Sequence, residues 1–295
     1  MALAAAVAVG CGNSHALVDT LGSEARSGPI PVRPSPSLPS DEAPPVADGE
    51  ASPGAPAGDA WTPGTTITRS VLRDDAFLQM TNIPPAWFVD IGAQYTASLY
   101  VPRGLMLGDG LSFLLVFGAV GANTESLPAY GPVADTCNLL VMAVDGDQPS
   151  DNTDGRNFEA YYCALKLRSE LEADGTLGPA SAFLVAGFSG GGKDAMAVGE
   201  CGGTATFRGA ISAGVNEDFA TYEIGLIDNP TSRALPFVIV NATDDSVVNT
   251  YTTGVLTSMQ QSGFTDVSLI SYTGGHVFPP LATMQQAVDS ILGEQ

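Results

Sequence analysis

The sequence predicts an α/β fold in which a mainly parallel sheet is covered by helices on both faces. Apolar runs of strand length alternate with helix-compatible segments along the chain, and glycine-rich or polar loops separate them. The 295 residues are 44% apolar, which is enough for one large core and a tail. Strands are expected near 95–101, 111–117, 138–144, 182–187, 207–213, 235–241 and 267–272. Helices are expected near 156–174, 190–201, 249–262 and 281–293.

The chain divides into three expected parts. Residues 1–11 are small and apolar, and the segment Ala-Val-Gly-Cys that ends at Cys11 resembles a bacterial lipoprotein cleavage box. We expect export, either with lipid on Cys11 or through an ordinary cleaved signal, to the outer membrane or the medium. Residues 12–62 are rich in Pro, Ala, Ser, Gly and acids and predict a disordered tether. Residues 63–295 are expected to form one folded domain.

The charge of the chain excludes some classes of partner. The sequence holds 32 acidic and 11 basic residues, for a net charge of −21. A surface of this sign repels nucleic acid and anionic membranes, so neither is an expected partner. The charge does not identify what the protein binds, and the oligomeric state is not encoded in any pattern of the sequence.

A candidate nucleophile lies between a strand candidate and a helix candidate. Ser189 is the centre of Gly-Phe-Ser-Gly-Gly at residues 187–191, after the apolar run 182–186 and before the Ala-rich segment 193–200. Strand, tight turn and helix form the context of a nucleophile elbow, in which small neighbours let a sharp turn expose the serine. The alternative is an ordinary glycine-rich loop.

Two aspartates follow the strand candidate at 235–240. Asp245 stands immediately before Ser-Val-Val and a helix-like segment, and we favour it as the acid of a catalytic triad. Asp244 is the competing residue, and it is otherwise expected to be a solvated loop carboxylate or a helix cap. Loops that follow the carboxyl ends of strands carry the chemistry in open α/β sheets.

A candidate base follows the last strand candidate. His276 lies in a Gly-Gly-His loop, and the only other histidine is His15 in the tether. Neutral imidazole suits proton transfer near pH 7. A serine hydrolase uses the serine as nucleophile, the histidine as base and the aspartate to orient the histidine. The order Ser189, Asp245, His276 is the chain order of α/β-hydrolases.

These motifs give the chain from about residue 90 onward a family resemblance. It resembles the secreted bacterial esterases related to poly(3-hydroxybutyrate) depolymerases and to feruloyl and acetylxylan esterases. The resemblance implies that residues 63–295 form an α/β-hydrolase catalytic domain that hydrolyses carboxylic esters through an acyl-enzyme, without a cofactor. Polyester oligomers, acylated glycans and small esters are the implied substrates. The segments that carry the resemblance are 95–104, 187–192, 245–249 and 274–279.

One segment departs from the pattern of the family. After the strand candidate 111–117 the family has His-Gly, whereas this chain has Gly-Ala-Val-Gly-Ala-Asn. The resemblance implies that this loop supplies one backbone N–H to the oxyanion and that Gly190 supplies the other. We choose Val120 as the loop donor, with Ala119 as the alternative. Backbone donors do not depend on side-chain identity, so the departure is compatible with activity.

Two alternatives to an esterase remain open. A serine peptidase uses the same triad, and a surface binding protein could retain a hydrolase scaffold. The complete triad argues against the binding protein, since a protein that only binds has no need of these three residues. The pocket is expected to be shaped by loops at 124–134 and 215–233. The sequence of these loops does not indicate which acyl group or alcohol the pocket accepts.

Cysteines and acidic residues leave two further questions open. If Cys11 is lipidated, Cys137, Cys163 and Cys201 remain, and they form either one disulfide with a free thiol or three buried thiols. No Cys and His spacing typical of a metal site occurs. The acidic loop 145–155 is rich in oxygen ligands suited to calcium, but such loops are ordinarily polar and cap helices.

Overall fold

The computed structural model describes residues 61–85, 88, 91–118, 123–144, 158–215 and 229–293. Residues 1–60 lie outside this part, so the signal segment at 1–11 and the tether at 12–62 stay predictions. Val120, Ala119 and the acidic loop 145–155 also lie outside it.

The strands of the described chain form one eight-stranded sheet in the order β1-β2-β4-β3-β5-β6-β7-β8. The pairs β1–β2 and β2–β4 are antiparallel, and all other neighbours are parallel. The expected mainly parallel sheet is therefore confirmed. The strands are β1 (Thr66–Leu72), β2 (Gln94–Tyr100), β3 (Ser112–Phe117), β4 (Leu139–Val144), β5 (Phe183–Phe188), β6 (Gly209–Ala213), β7 (Phe237–Ala242) and β8 (Val267–Tyr272).

Helices connect most of these strands. α4 is interrupted near its end, where Gly203 leaves the helical region with φ 54° and ψ −164°. Short 3-10 turns occupy Thr124–Ser126 and Pro230–Ala234. The helices are α1 (Asp75–Leu78), α2 (Leu127–Cys137), α3 (Phe158–Ala173), α4 (Gly190–Thr206), α5 (Asn249–Gln261) and α6 (Leu281–Leu292).

The pleat of the strands divides the core into two layers. In β3, Phe113 and Leu115 belong to the cluster that includes residues of α3, α4 and α5. Leu114 and Val116 belong to the opposite cluster, with residues of α2 and α6. Successive side chains of a strand point to opposite faces. Strands β3, β4 and β7 are buried along their whole length, as expected where helices cover both faces of a parallel sheet.

Three elements were not foreseen in the sequence: β1, α1 and α2. β1 was missed because it is short and buries only Ile67 and Val71, with Leu72 exposed and the remaining residues polar. The expected loop at 124–134 is largely the helix α2, which was missed because Pro128 and Pro132 lie within it. Pro128 is in the first turn, where its missing N–H costs no intrahelical hydrogen bond. The other expected loop, 215–233, is described only at Val215 and 229–233.

The described cysteines are free thiols. The expected alternative of a disulfide among them is therefore not realised in the structure. Cys163 and Cys201 are buried on α3 and α4, and Cys137 is partly buried at the end of α2. Burial, with a smaller effect of Glu200, raises the pKa of Cys201 to about 12. This thiol is therefore in its neutral form at pH 7.

Candidate active site

Ser189 occupies a strained turn between β5 and α4. Its backbone has φ 57° and ψ −121°, a conformation that residues other than glycine rarely adopt. The Ser189 N–H donates to the carbonyl of Ala213 at 2.8 Å, and the Gly192 N–H donates to the carbonyl of Ser189 at 2.9 Å. Hydrogen bonds on both sides thus hold the turn in place. The strand, turn and helix expected around this serine are present.

Two glycines of the turn lie where no larger residue fits. A Cβ on Gly187 would lie 1.8 Å from the carbonyl oxygen of Gly191. A Cβ on Gly191 would lie 2.4 Å from the carbonyl oxygen of Phe117. Because both obstacles are backbone atoms, they cannot move aside as a flexible side chain would. Glycine at these positions lets the helix begin directly against the ends of β3 and β5.

Three side chains from separate loops form a hydrogen-bonded line. The Oγ atom of Ser189 lies 3.0 Å from Nε2 of His276. The Nδ1 atom of His276 lies 2.6 Å from Oδ2 of Asp245. A carboxylate beside Nδ1 favours the tautomer protonated there, which leaves Nε2 to accept the serine proton. The structure thus brings together the three residues that were selected from the sequence.

Asp245 is buried at the carboxyl end of β7, with only 2% of its surface exposed. Its second oxygen, Oδ1, accepts the backbone N–H of Val247 at 2.8 Å and that of Val248 at 3.4 Å. These donors satisfy the oxygen that does not contact the imidazole and fix the rotation of the carboxylate. Asp245 can therefore hold the ring of His276 in one orientation.

Asp244 makes a different contact from its neighbour. Its Oδ1 atom accepts the backbone N–H groups of Gly274 at 2.7 Å and Gly275 at 3.0 Å. These two hydrogen bonds hold the pKa of the Asp244 carboxyl below its usual value. Of the two aspartates that the sequence left in competition, Asp245 contacts the imidazole and Asp244 contacts the backbone of the histidine loop.

The imidazole of His276 packs against an aromatic side chain. The ring of Phe188 lies 5.2 Å from it, centroid to centroid, at an angle of 32°. Gly214, with φ 61°, leaves room for both rings, because a Cβ there would lie 2.8 Å from Phe188 and 3.3 Å from His276. On the loop itself, the hydroxyl of Tyr272 donates to the carbonyl of Val277 at 2.6 Å. The histidine is thus packed on one side and remains partly exposed.

The expected oxyanion donors are described in part. Gly190 is the first residue of α4, so its N–H has no acceptor within the helix, and the helix dipole favours negative charge there. Val120, the other expected donor, lies outside the described residues. The loop that contains it is bounded by Asn123, which is buried. Asn123 accepts the Gly118 N–H at 2.9 Å and donates to the Val144 carbonyl at 2.7 Å.

Sequence reasoning missed the roles of Asn123 and Gly214 around this site. Asn123 is the single large polar residue after a run of Gly, Ala and Val, and that contrast was a usable signal. Gly214 carried no such signal, because its neighbours in space come from distant parts of the chain. Within the described ranges, no group of three or more His, Cys, Asp or Glu is placed to bind a metal ion. None of the helices described is both long and apolar enough to cross a bilayer.

No family model matches this chain, and no curated protein is significantly similar to it in sequence. Solved structures do resemble it. A thermostable esterase from Pseudomonas putida ECU1011 is 14% identical, with a TM-score of 0.55, over 79% of this chain and 84% of that one. A poly(3-hydroxybutyrate) depolymerase from Bordetella parapertussis is 17% identical, with a TM-score of 0.53, over 79% and 91%. A poly(aspartic acid) hydrolase from Sphingomonas sp. KT-1 is 15% identical, with a TM-score of 0.53, over 79% and 100%.

At these identities the similarity concerns the fold. Together with the eight-stranded, mainly parallel sheet and its helical layers, it confirms the α/β-hydrolase fold that the sequence predicted. The membership in one esterase family stays a prediction.

Proposed function

We propose that this protein is a serine esterase that hydrolyses carboxylic esters through an acyl-enzyme. The observation that carries the proposal is the hydrogen-bonded line of Ser189, His276 and Asp245, with distances of 3.0 and 2.6 Å. The line lies at the carboxyl edge of a parallel sheet, where α/β proteins place their sites. The fold that the chain shares with solved esterases supports the same reading.

The mechanism assigns one task to each group. Ser189 attacks the ester carbonyl while Nε2 of His276 takes its proton, and the same proton then goes to the leaving alcohol. Asp245 fixes the tautomer and stabilises the imidazolium. Backbone N–H groups of Gly190 and Val120 are the proposed donors to the oxyanion. Water, deprotonated by His276, then releases the acid and restores the serine.

The substrate class is proposed from the same resemblance. Polyester oligomers, acylated glycans and small esters all present a carbonyl to the nucleophile. The solved structures of similar fold include proteins described as an esterase and as a poly(3-hydroxybutyrate) depolymerase. A panel of purified polymers and model esters, assayed with the same enzyme preparation, separates polymeric from small substrates. Cleavage of peptides without cleavage of esters would replace the esterase by the peptidase alternative.

The first test removes the nucleophile. Ser189→Ala should lower the rate on short-chain aryl esters by about 10³-fold or more. Ser268→Ala is the matched control, because Ser268 is an exposed serine on β8 and should leave the rate unchanged. Asp245→Asn should also reduce turnover by orders of magnitude, because the amide favours the wrong tautomer of the histidine. Wild-type rates in Ser189→Ala would refute the mechanism.

Export is the second part of the proposed function, and it rests on the sequence alone. The cleavage-box pattern ending at Cys11 and the Pro-rich segment 12–62 support an exported protein held to a membrane by lipid. Mass spectrometry of the protein purified from cells should find lipid on Cys11. An intact Met1 on soluble protein from the cytoplasm would refute export.

A further inference from the structure

One carboxylate beside the proposed triad has no part in the mechanism above. We propose that Asp244 is a positioning residue, which fixes the backbone of the histidine loop so that the imidazole meets the serine. The inference rests on the proposed function and deepens it. Its basis is the pair of hydrogen bonds that Asp244 accepts from Gly274 and Gly275, the two residues before His276.

The histidine loop needs such a contact because the backbone dihedral angles of its glycines are little restricted. Gly274 and Gly275 lose more conformational entropy on ordering than other residues do. Gly275 has φ 66°, and the space around its Cα is open, since a Cβ there would meet no atom within 4 Å. Side-chain packing therefore does not hold Gly275, although a Cβ on Gly274 would lie 3.3 Å from the ring of Tyr272 and the Val277 N–H donates to the Gly275 carbonyl at 2.9 Å. The N–H groups of both glycines are held by the one carboxylate oxygen of Asp244.

Consecutive residues thereby hold the same loop at two points. Asp245 binds the ring of His276, and Asp244 binds the main chain directly before it. Both follow β7, and β7 pairs with β8 along its whole length. The register is extended by the Thr243 N–H, which donates to the Tyr272 carbonyl at 2.7 Å. Asp244 thus extends the connection between the two strands into the loops that carry the acid and the base.

Loss of this contact should act on turnover and spare binding. Without Asp244 the ring keeps its bond to Asp245, but the N–H groups of the two glycines before it lose their acceptor. The aligned arrangement is then a smaller fraction of the population, and the rate falls with that fraction. Small displacements of reacting groups cost up to about a hundredfold in rate. We expect kcat to fall roughly tenfold or more in Asp244→Ala, with KM nearly unchanged.

The experiment compares two replacements in the full chain. Asp244→Asn keeps a carbonyl oxygen in place of Oδ1 and can accept both N–H groups, so it should restore most of kcat. Asp244→Ala removes the acceptor and should not. Asp266→Ala is the control, since Asp266 is an exposed carboxylate at the opposite end of β8 and removes the same charge. An Asn variant as slow as the Ala variant would overturn the acceptor role.

A second measurement does not depend on activity. The chain has only two histidines, so in a His15→Gln background the ring signals in an NMR spectrum belong to His276. The Nδ1 proton shared with Asp245 should give a downfield signal, which Asp244→Ala should broaden or abolish and Asp244→Asn should retain. An unchanged signal and an unchanged kcat in Asp244→Ala would overturn the proposal. An inactive wild type with the expected signals would instead refute the esterase and leave the loop contact standing.

Discussion

At the scale of single residues, the site depends on a serine held in a backbone conformation that suits glycine. Ser189 has φ 57°, and its backbone is hydrogen-bonded to Ala213 and Gly192. Such conformations cost of order 1–3 kcal/mol in a residue with a Cβ and persist where the surroundings impose them. Holding the serine in this backbone conformation therefore lowers the stability of the fold.

A pair of variants measures that cost. Ser189→Gly removes the Cβ and should be more stable than Ser189→Ala by about 1 kcal/mol, because the relief of strain exceeds the extra entropy of glycine in the unfolded chain. Both variants lack the hydroxyl, so the comparison isolates the backbone. Urea unfolding of the two proteins gives the difference directly. A more stable Ala variant would show that the turn is not strained.

Most of the candidate site could be selected from the sequence because two of its residues are locally marked. Ser189 lies in a glycine-rich pentapeptide, and His276 is the only histidine outside the first 60 residues. The choice between Asp244 and Asp245 rested on a family pattern. Nothing local distinguishes them, since their partners lie about thirty residues further along the chain. Contacts of this kind are properties of the folded chain and have no local signature.

At the scale of elements, the apolar strands were predictable and the marginal ones were not. Every expected strand from β2 to β8 is present, with bounds that shift by two residues or fewer. β1 was missed because alternation over seven residues with two buried side chains is a weak signal. α2 was missed because two prolines outweighed its buried Leu127, Tyr130 and Val133. Tertiary packing decided both cases against local propensity.

The edge strand β1 gives a prediction about truncation. A chain that begins at Trp61 keeps β1 and should unfold cooperatively with full activity on soluble esters. A chain that begins at Asp74 loses β1 and with it the burial of Ile67 and Val71, about 1.5–3 kcal/mol for each side chain. Its melting temperature should fall well below that of the longer chain. The measurement is thermal unfolding of both proteins with one soluble ester as the activity assay.

The same pair of proteins tests the predicted domain boundary. If the chain that begins at Trp61 lacks a cooperative transition, residues before it belong to the fold and the boundary at 62 is wrong. If the chain that begins at Asp74 melts like the longer one, β1 contributes nothing to stability. Full-length protein is the reference for both.

At the scale of the whole molecule, the order of strands was beyond the reach of the sequence. Alternating strands and helices predicted a parallel sheet, and that prediction is confirmed. The sequence did not show that β4 lies between β2 and β3, because the order is decided by long-range packing of both helical layers. Nor did it show that β2 runs antiparallel to β4. The ends of β3, β5, β7 and β8 nevertheless meet at one edge, as a parallel sheet requires.

The position of β8 in that order gives a prediction about how the proposed activity responds to heat. Ser189 follows a strand with neighbours on both sides, whereas His276 follows β8, which ends the sheet and has three exposed residues among its six. Segments at an edge open locally at a lower free energy than the core does. Heating to a temperature below the melting transition should therefore abolish activity while the core stays folded, and cooling should restore that activity. We expect Ser189 to keep its position, because β5 is an interior strand, and His276 to leave its position reversibly when the end of β8 opens.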